Sequence, residues 1–134
     1  MRRLVAAVEE RGGRWPVPGG ELAERVLERE RQMSTGLEQG VALPHAMFPG
    51  SFPTAGALAL IPDGLDFACL DGEPARFLLL MAFSDDEEGR RRHVALLGQS
   101  IRLFTDPGLA GELLRASDPA AALELIRRAE GDKV

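Results

Sequence analysis

Apolar residues recur along this chain at two different spacings, and the alternation between them outlines its elements. Leu4, Val5 and Val8 form the buried face of a short amphipathic helix that Gly12-Gly13 stops. Trp15-Pro16-Val17-Pro18-Gly19-Gly20 reads as a connector, because its prolines and glycines do not sustain a helix. Helical spacing returns from about Glu21 to Gln32, with Leu22, Val26 and Leu27 on the buried side. A polar loop over 34–40 leads into a short strand, Val41-Ala42-Leu43, ended by Pro44. After a loop from Phe48 to Pro53, Thr54–Ile61 reads as a strand of small residues closed by a Pro62-Asp63-Gly64 turn. Asp71-Gly72-Glu73-Pro74 is a second turn.

Ala75–Phe83 carries the strongest strand signal. It is continuously apolar from Phe77 to Phe83, the pattern of a central strand covered on both faces. The acidic Asp85–Glu88 segment precedes a helix, where negative charge complements the N-terminal dipole. Val94, Leu97, Ile101 and Phe104 form that helix's apolar stripe, and Thr105-Asp106-Pro107-Gly108 breaks it. Two more helices follow, Leu109–Ala116 and Ala120–Ala129, with Ser117 or Asp118 as N-cap and Pro119 in the first turn. Strands interleaved with helices predict a layered α/β domain.

Bulk properties narrow the function classes. A chain of 134 residues forms one domain with a core of its own. A net charge of −5 argues against nucleic acid as partner, since a phosphate backbone calls for a positive surface. No run approaches the roughly 18 apolar residues of a membrane span, and Leu4–Val8 is too soon followed by charge to be a secretory segment. The single Cys69 leaves no intrachain disulfide framework and no multi-cysteine metal site. A cytoplasmic protein without membrane insertion is expected.

One segment concentrates chemistry: Arg29-Glu30, Ser34-Thr35-Gly36, then Gly40-Val41-Ala42-Leu43-Pro44-His45-Ala46. Pro44 holds Leu43 extended and has no N–H to donate, so strand pairing should end there and His45 should lie just beyond. That is where α/β folds place their sites. Gly36 and Gly40 permit close backbone approach or positive φ. Ser34 and Thr35 offer hydroxyl donors, although capping or turn roles fit them equally well. Arg29 offers a guanidinium suited to phosphate, or an ordinary surface ion pair. An imidazole among such donors could accept a phosphoryl group and have its charge stabilised.

The order and spacing of these residues resemble the active-site signature of the fructose/mannitol/nitrogen-regulatory (type 2) enzyme IIA family of the bacterial phosphotransferase system. The resemblance extends from Leu4 to about Arg128. It takes in Leu65-Asp66-Phe67, Leu70-Asp71-Gly72-Glu73-Pro74, the strand to Phe83, His93 in Arg92-His93-Val94-Ala95-Leu96-Leu97, and the closing segment Ser117–Ile126.

It implies a layered α/β sandwich with a mixed sheet flanked by helices, of the phosphotransferase/anion-transport kind. Residues 1–134 would form a single such domain lacking the family's N-terminal strand. It implies that His45 accepts a phosphoryl group from phospho-HPr, or from a nitrogen-branch relative, and passes it to an enzyme IIB domain or uses it as a regulatory signal. His93 would be the active-site neighbour, near the start of its helix, with Arg29, Ser34 and Thr35 lining the phosphate site. No metal or organic cofactor is implied. A regulatory module that keeps the fold but acts by docking to a transporter or kinase is the alternative. The chain departs from the family pattern at Glu38-Gln39, where glycine and asparagine are common, and at Met47, where a basic residue is common.

Overall fold

The computed structural model describes residues 2–10, 14–32, 36, 39–66 and 71–131. In order these form α1 (Arg2–Glu10), α2 (Gly19–Gln32), β1 (Val41–Ala42), β2 (His45–Phe48), β3 (Ala55–Leu65), β4 (Ala75–Ser84), α3 (Glu87–Phe104), α4 (Pro107–Leu114) and α5 (Pro119–Gly131).

β4 is the axis of the sheet, as its apolar run predicts. β1 and β2 lie end to end along one side of it, both parallel, with Val41 opposite Phe77 and His45 opposite Met81. β3 runs antiparallel along the other side. The sheet is therefore mixed. Alternation along β4 divides the core into two layers. Leu80 and Ala82 face α1 and α2 with Val5, Trp15, Leu22 and Val26. Phe77, Met81 and Phe83 face the other way, against Leu103, Phe104, Leu113 and Ala122 of α3–α5. Helices thus cover both faces, and the architecture is the expected layered sandwich. Among the described residues no helix is long and apolar enough to cross a membrane.

Four local expectations need correction. Strand pairing does not end at Pro44: its carbonyl accepts the Met81 N–H at 3.0 Å, and β2 resumes at His45. Proline removes a donor but leaves an acceptor, so a parallel ladder can pass it. Pro62-Asp63-Gly64 does not reverse the chain; it forms a register shift within a longer β3. α2 starts at Gly19, because the Pro18 carbonyl accepts the Leu22 N–H at 3.0 Å and opens the helix there; Gly19 also packs on α1, where a Cβ would lie 2.9 Å from Val5 Cγ1. In α3 the buried residues are Gly89, Ser100, Leu103 and Phe104, whereas Val94 is 73% and Ile101 40% exposed. This helix carries two apolar stripes, and packing selects the one through Leu96 and Leu103.

Helix ends follow their side chains. The Asp106 carboxylate accepts from Gly108 N and Leu109 N at the start of α4. Asp118, rather than Ser117, accepts from Ala121 N at 2.8 Å at the start of α5.

Candidate functional site

Side-chain alternation decides which way the candidate nucleophile points. Ala46 and Phe48 enter the α1/α2 layer, so His45 and Met47 face the α3–α5 layer. His45 is only 5% exposed. Its Nδ1 lies 2.7 Å from the Leu43 carbonyl oxygen. A carbonyl only accepts, so the network assigns the proton to Nδ1 and leaves Nε2 with its lone pair.

That lone pair meets the second histidine. His93 Nε2 lies 3.0 Å from His45 Nε2. With His45 Nε2 the acceptor, His93 Nε2 carries the bridging proton. The ring of Phe83 supports both imidazoles edge-on, at 6.1 Å from His45 and 5.1 Å from His93. The His93 pKa is lowered from its ordinary 6.5, first by burial, then by His45 and by the positive charge of Arg29. The charge of Arg29 on α2 is therefore felt at His93.

α2 can contribute because it packs on β2 through Ala46 and Phe48, and among the described residues β4 is the strand neighbour of β2. One turn before Arg29, the Arg25 guanidinium lies 4.4 Å above the Phe48 ring and donates to the Met47 carbonyl at 3.2 Å. Of the sequence-predicted residues, the structure brings His45 and His93 together, and the charge of Arg29 reaches His93. Ser34 and Thr35 lie outside the described residues, as do Glu38 and Cys69.

His93 is the seventh residue of α3, a turn past the open N–H groups of the helix start. Its imidazole, rather than its backbone amide, is the group available to an anion. Its height is set by how α3 leaves β4. Asp86 caps the helix, accepting from Gly89 N at 2.7 Å and from the Ser84 hydroxyl at 2.8 Å. Those hydrogen bonds hold its carboxyl below the usual range. The Asp85 N–H donates to Phe48 O at 2.8 Å and ties the end of β2 to the same corner. Sequence reading placed acidic charge here; the Ser84–Asp86–Gly89 lock needs three-dimensional packing to be seen.

The type 2 enzyme IIA profile, described as phosphoenolpyruvate-dependent sugar phosphotransferase system, EIIA 2, matches residues 3–129. The chain belongs to this family. It is 31% identical over 105 residues to the PTS system fructose-specific EIIABC component of Bacillus subtilis, covering 78% of this chain and 16% of that protein. It is also 31% identical over 105 residues to the nitrogen regulatory protein of Pseudomonas aeruginosa, covering 78% of this chain and 66% of that one. The chain thus spans less than two thirds of either relative. Among solved structures, nitrogen regulatory protein IIA-Ntr of Neisseria meningitidis superposes with a TM-score of 0.71 at 24% identity, covering 83% of this chain and 73% of that one. The Escherichia coli complex of IIA mannitol with phosphorylated IIB mannitol gives 0.69 at 20%, covering 94% and 83%. At those identities the superpositions speak to the fold.

One residue of this enzyme IIA domain was legible only as a turn former. The Asp71 carboxylate accepts from Gln39 N at 2.9 Å and from Glu73 N at 3.0 Å. Gln39 has φ of 62° and Gly40 of 76°, so the chain enters β1 through two left-handed residues. Gly40 O then accepts from Arg76 N at 2.7 Å and Phe77 N at 2.9 Å. Asp71 therefore ties the start of the histidine strand to the start of β4. The Gln39 and Glu73 hydrogen bonds lower its pKa from 3.8. A carboxyl depressed in the fold contributes above the unfolded value and loses that contribution as pH falls through the folded one. The Gln39 and Glu73 amide resonances should therefore shift together below about pH 4, and Asp71→Asn should remove the coupled transition. Independent titration of the two amides would show that the shared latch does not hold in solution.

Proposed function

We propose that this domain is a cytoplasmic phosphocarrier in which His45 Nε2 takes a phosphoryl group from phospho-HPr, or a nitrogen-branch relative, and hands it to an enzyme IIB domain or a regulated protein. The observation that carries this reading is the fixed proton arrangement: Nδ1 of His45 bonded to Leu43 O, with Nε2 facing His93. A nucleophilic imidazole needs one nitrogen unprotonated and the other held.

In the step itself, the His45 Nε2 lone pair forms the new N–P bond as the N–P bond of the donor phosphohistidine breaks. The electron pair of the old bond stays on the donor imidazole. The Nδ1 proton does not move, because Leu43 O holds it throughout. His93 Nε2–H, which covers the lone pair at rest, turns to donate to a phosphoryl oxygen. Arg29 adds positive charge to the same group, with Ser34 and Thr35 as candidate hydroxyl donors. Onward transfer to a cysteine or histidine of a IIB domain follows the same path in reverse. Family membership and the regulatory relative in P. aeruginosa support both a sugar-uptake and a signalling outlet.

Incubation with phosphorylated HPr should give one acid-labile, base-stable phosphoryl group per chain. Phosphorus NMR and mass mapping should assign it to Nε2 of His45. Phosphorylation at Nδ1 would contradict the proton assignment. No transfer from any of several HPr proteins would replace this reading by that of a docking module.

A further inference from the structure

The two histidines of the pair are not held alike. His45 is fixed at both ring nitrogens, by Leu43 O at Nδ1 and by His93 at Nε2. Among the described residues, the hydrogen-bond partner of the His93 ring is His45. That bond uses Nε2, the atom that has to change partner when a phosphoryl group arrives. The Ser84–Asp86–Gly89 lock places the backbone of α3, but it does not orient the imidazole. The outer torsion of a histidine side chain is broad and roughly two-fold, and a ring turned over would present Cε1 in place of Nε2. Packing therefore has to supply what hydrogen bonding does not.

We infer that Phe83 is a positioning residue for phosphoryl transfer: its ring holds the His93 imidazole with Nε2–H directed first at His45 and then at the phosphoryl group. Phe83 is fully buried. Its ring centroid lies 5.1 Å from that of His93 at 79°, and 6.1 Å from that of His45 at 80°. Near-perpendicular ring contacts of this kind are favourable and directional. The ring is itself anchored, in the layer that β4 shares with α3–α5. The next residue along β4 is Ser84, whose hydroxyl donates to the Asp86 cap of α3. The wall against His93 and the start of its helix are thus set by adjacent residues of one strand. Being buried, Phe83 acts through His93 and meets no substrate itself. Its consequence for transfer rests on the phosphocarrier reading; its hold on the imidazole does not.

The test compares Phe83→Leu with Phe77→Leu. Phe77 is buried on the same face of β4, but its ring stacks on Phe104 at 5.3 Å rather than on a histidine. Both changes remove a ring from one core layer and weaken packing in the same way. With phosphorylated HPr as donor, Phe83→Leu should lower kcat by about 10- to 100-fold, as expected for a misdirected group, and leave KM unchanged. Phe77→Leu should keep the parent kcat. Long-range proton–nitrogen NMR spectra, which need no phosphate, should show His93 as a single Nε2–H tautomer in the parent and as a mixture in Phe83→Leu. The carbon-bound protons of His93 should also be displaced from free-imidazole positions by the Phe83 ring current. Parent-like kcat in Phe83→Leu overturns the proposal, as does equal slowing by the two leucine variants. So do His93 protons at free-imidazole positions in the parent, a result that needs no variant to fold. A parent that takes no phosphate from HPr would remove the phosphocarrier reading, and the spectra alone would then decide whether Phe83 orients His93.

Discussion

Replacing His93 by alanine should slow phosphoryl transfer to His45 by about 100- to 1,000-fold, and replacing His45 should abolish it. At rest the two Nε2 atoms share one proton across 3.0 Å. The proton belongs to His93, because Nδ1 of His45 is committed to Leu43 O at 2.7 Å. When a phosphoryl group arrives, the same N–H can pass from nitrogen to a phosphoryl oxygen with little movement. A donor already in place costs no reorganisation at the moment of transfer. Alanine removes it and leaves water to supply the hydrogen bond. Glutamine keeps an N–H donor and should recover part of the rate. The measurement is the transfer rate from phosphorylated HPr for His93, His93→Ala and His93→Gln proteins, with melting temperatures as control. Equal rates for the parent and the alanine variant would make His93 a cover for His45 and nothing more.

The same substitution has a pH signature. Burial, His45 and Arg29 lower the His93 pKa from 6.5. Between that lowered value and 6.5 the unfolded chain binds more protons than the folded one. Stability therefore rises with pH through this window and is lost as pH falls below 6.5. The difference in urea midpoint between pH 7 and pH 5 should shrink in His93→Gln. An unchanged difference would place the titration elsewhere.

How much of this could be read from the residues depends on how local each cause is. The unbroken apolar run to Phe83 identifies a central strand because only a strand covered on both faces tolerates it. His45 stands out through the order of glycine, proline and hydroxyl residues around it, all within one stretch of chain. The direction in which it points was not legible, since that depends on Pro44 passing the ladder through its carbonyl and on β2 resuming in register. α3 defeated periodicity for a different reason: Val94/Ile101 and Leu96/Leu103 are both apolar stripes, and only contact with α4, α5 and the sheet chooses between them. Asp71 acts on Gln39, 32 residues earlier. No local pattern distinguishes such a carboxylate from an ordinary turn residue. Gly89 was hidden in the same way, as one small residue in a charged helical turn.

Gly89 is where the fold and the chemistry should fail together. A Cβ added there would lie inside the Ser84 carbonyl oxygen and 2.5 Å from its hydroxyl. The obstacle is backbone at the end of β4, which cannot rotate away. Gly89→Ala should therefore push the first turn of α3 off the sheet and cost about 2–3 kcal/mol, the range of overpacked sites. For a domain of this size that is a fall in melting temperature of roughly 5–15 °C. The Asp86 cap would loosen, since it depends on Gly89 N. His93 is one turn further on, so its Nε2 would leave the position opposite His45. Transfer from phosphorylated HPr should then slow even at temperatures where the variant is fully folded. Gly98→Ala is the matched control on the same helix. There the nearest obstacle is the flexible end of Arg102 at 3.7 Å. Alanine is the better helix former, so this change should stabilise by about 0.5–1 kcal/mol and leave transfer unaffected. Similar melting temperatures for the two alanine variants would show that α3 leaves β4 with more room than this close contact implies. His93 would then have to be held by its contacts with Phe83 and His45 instead.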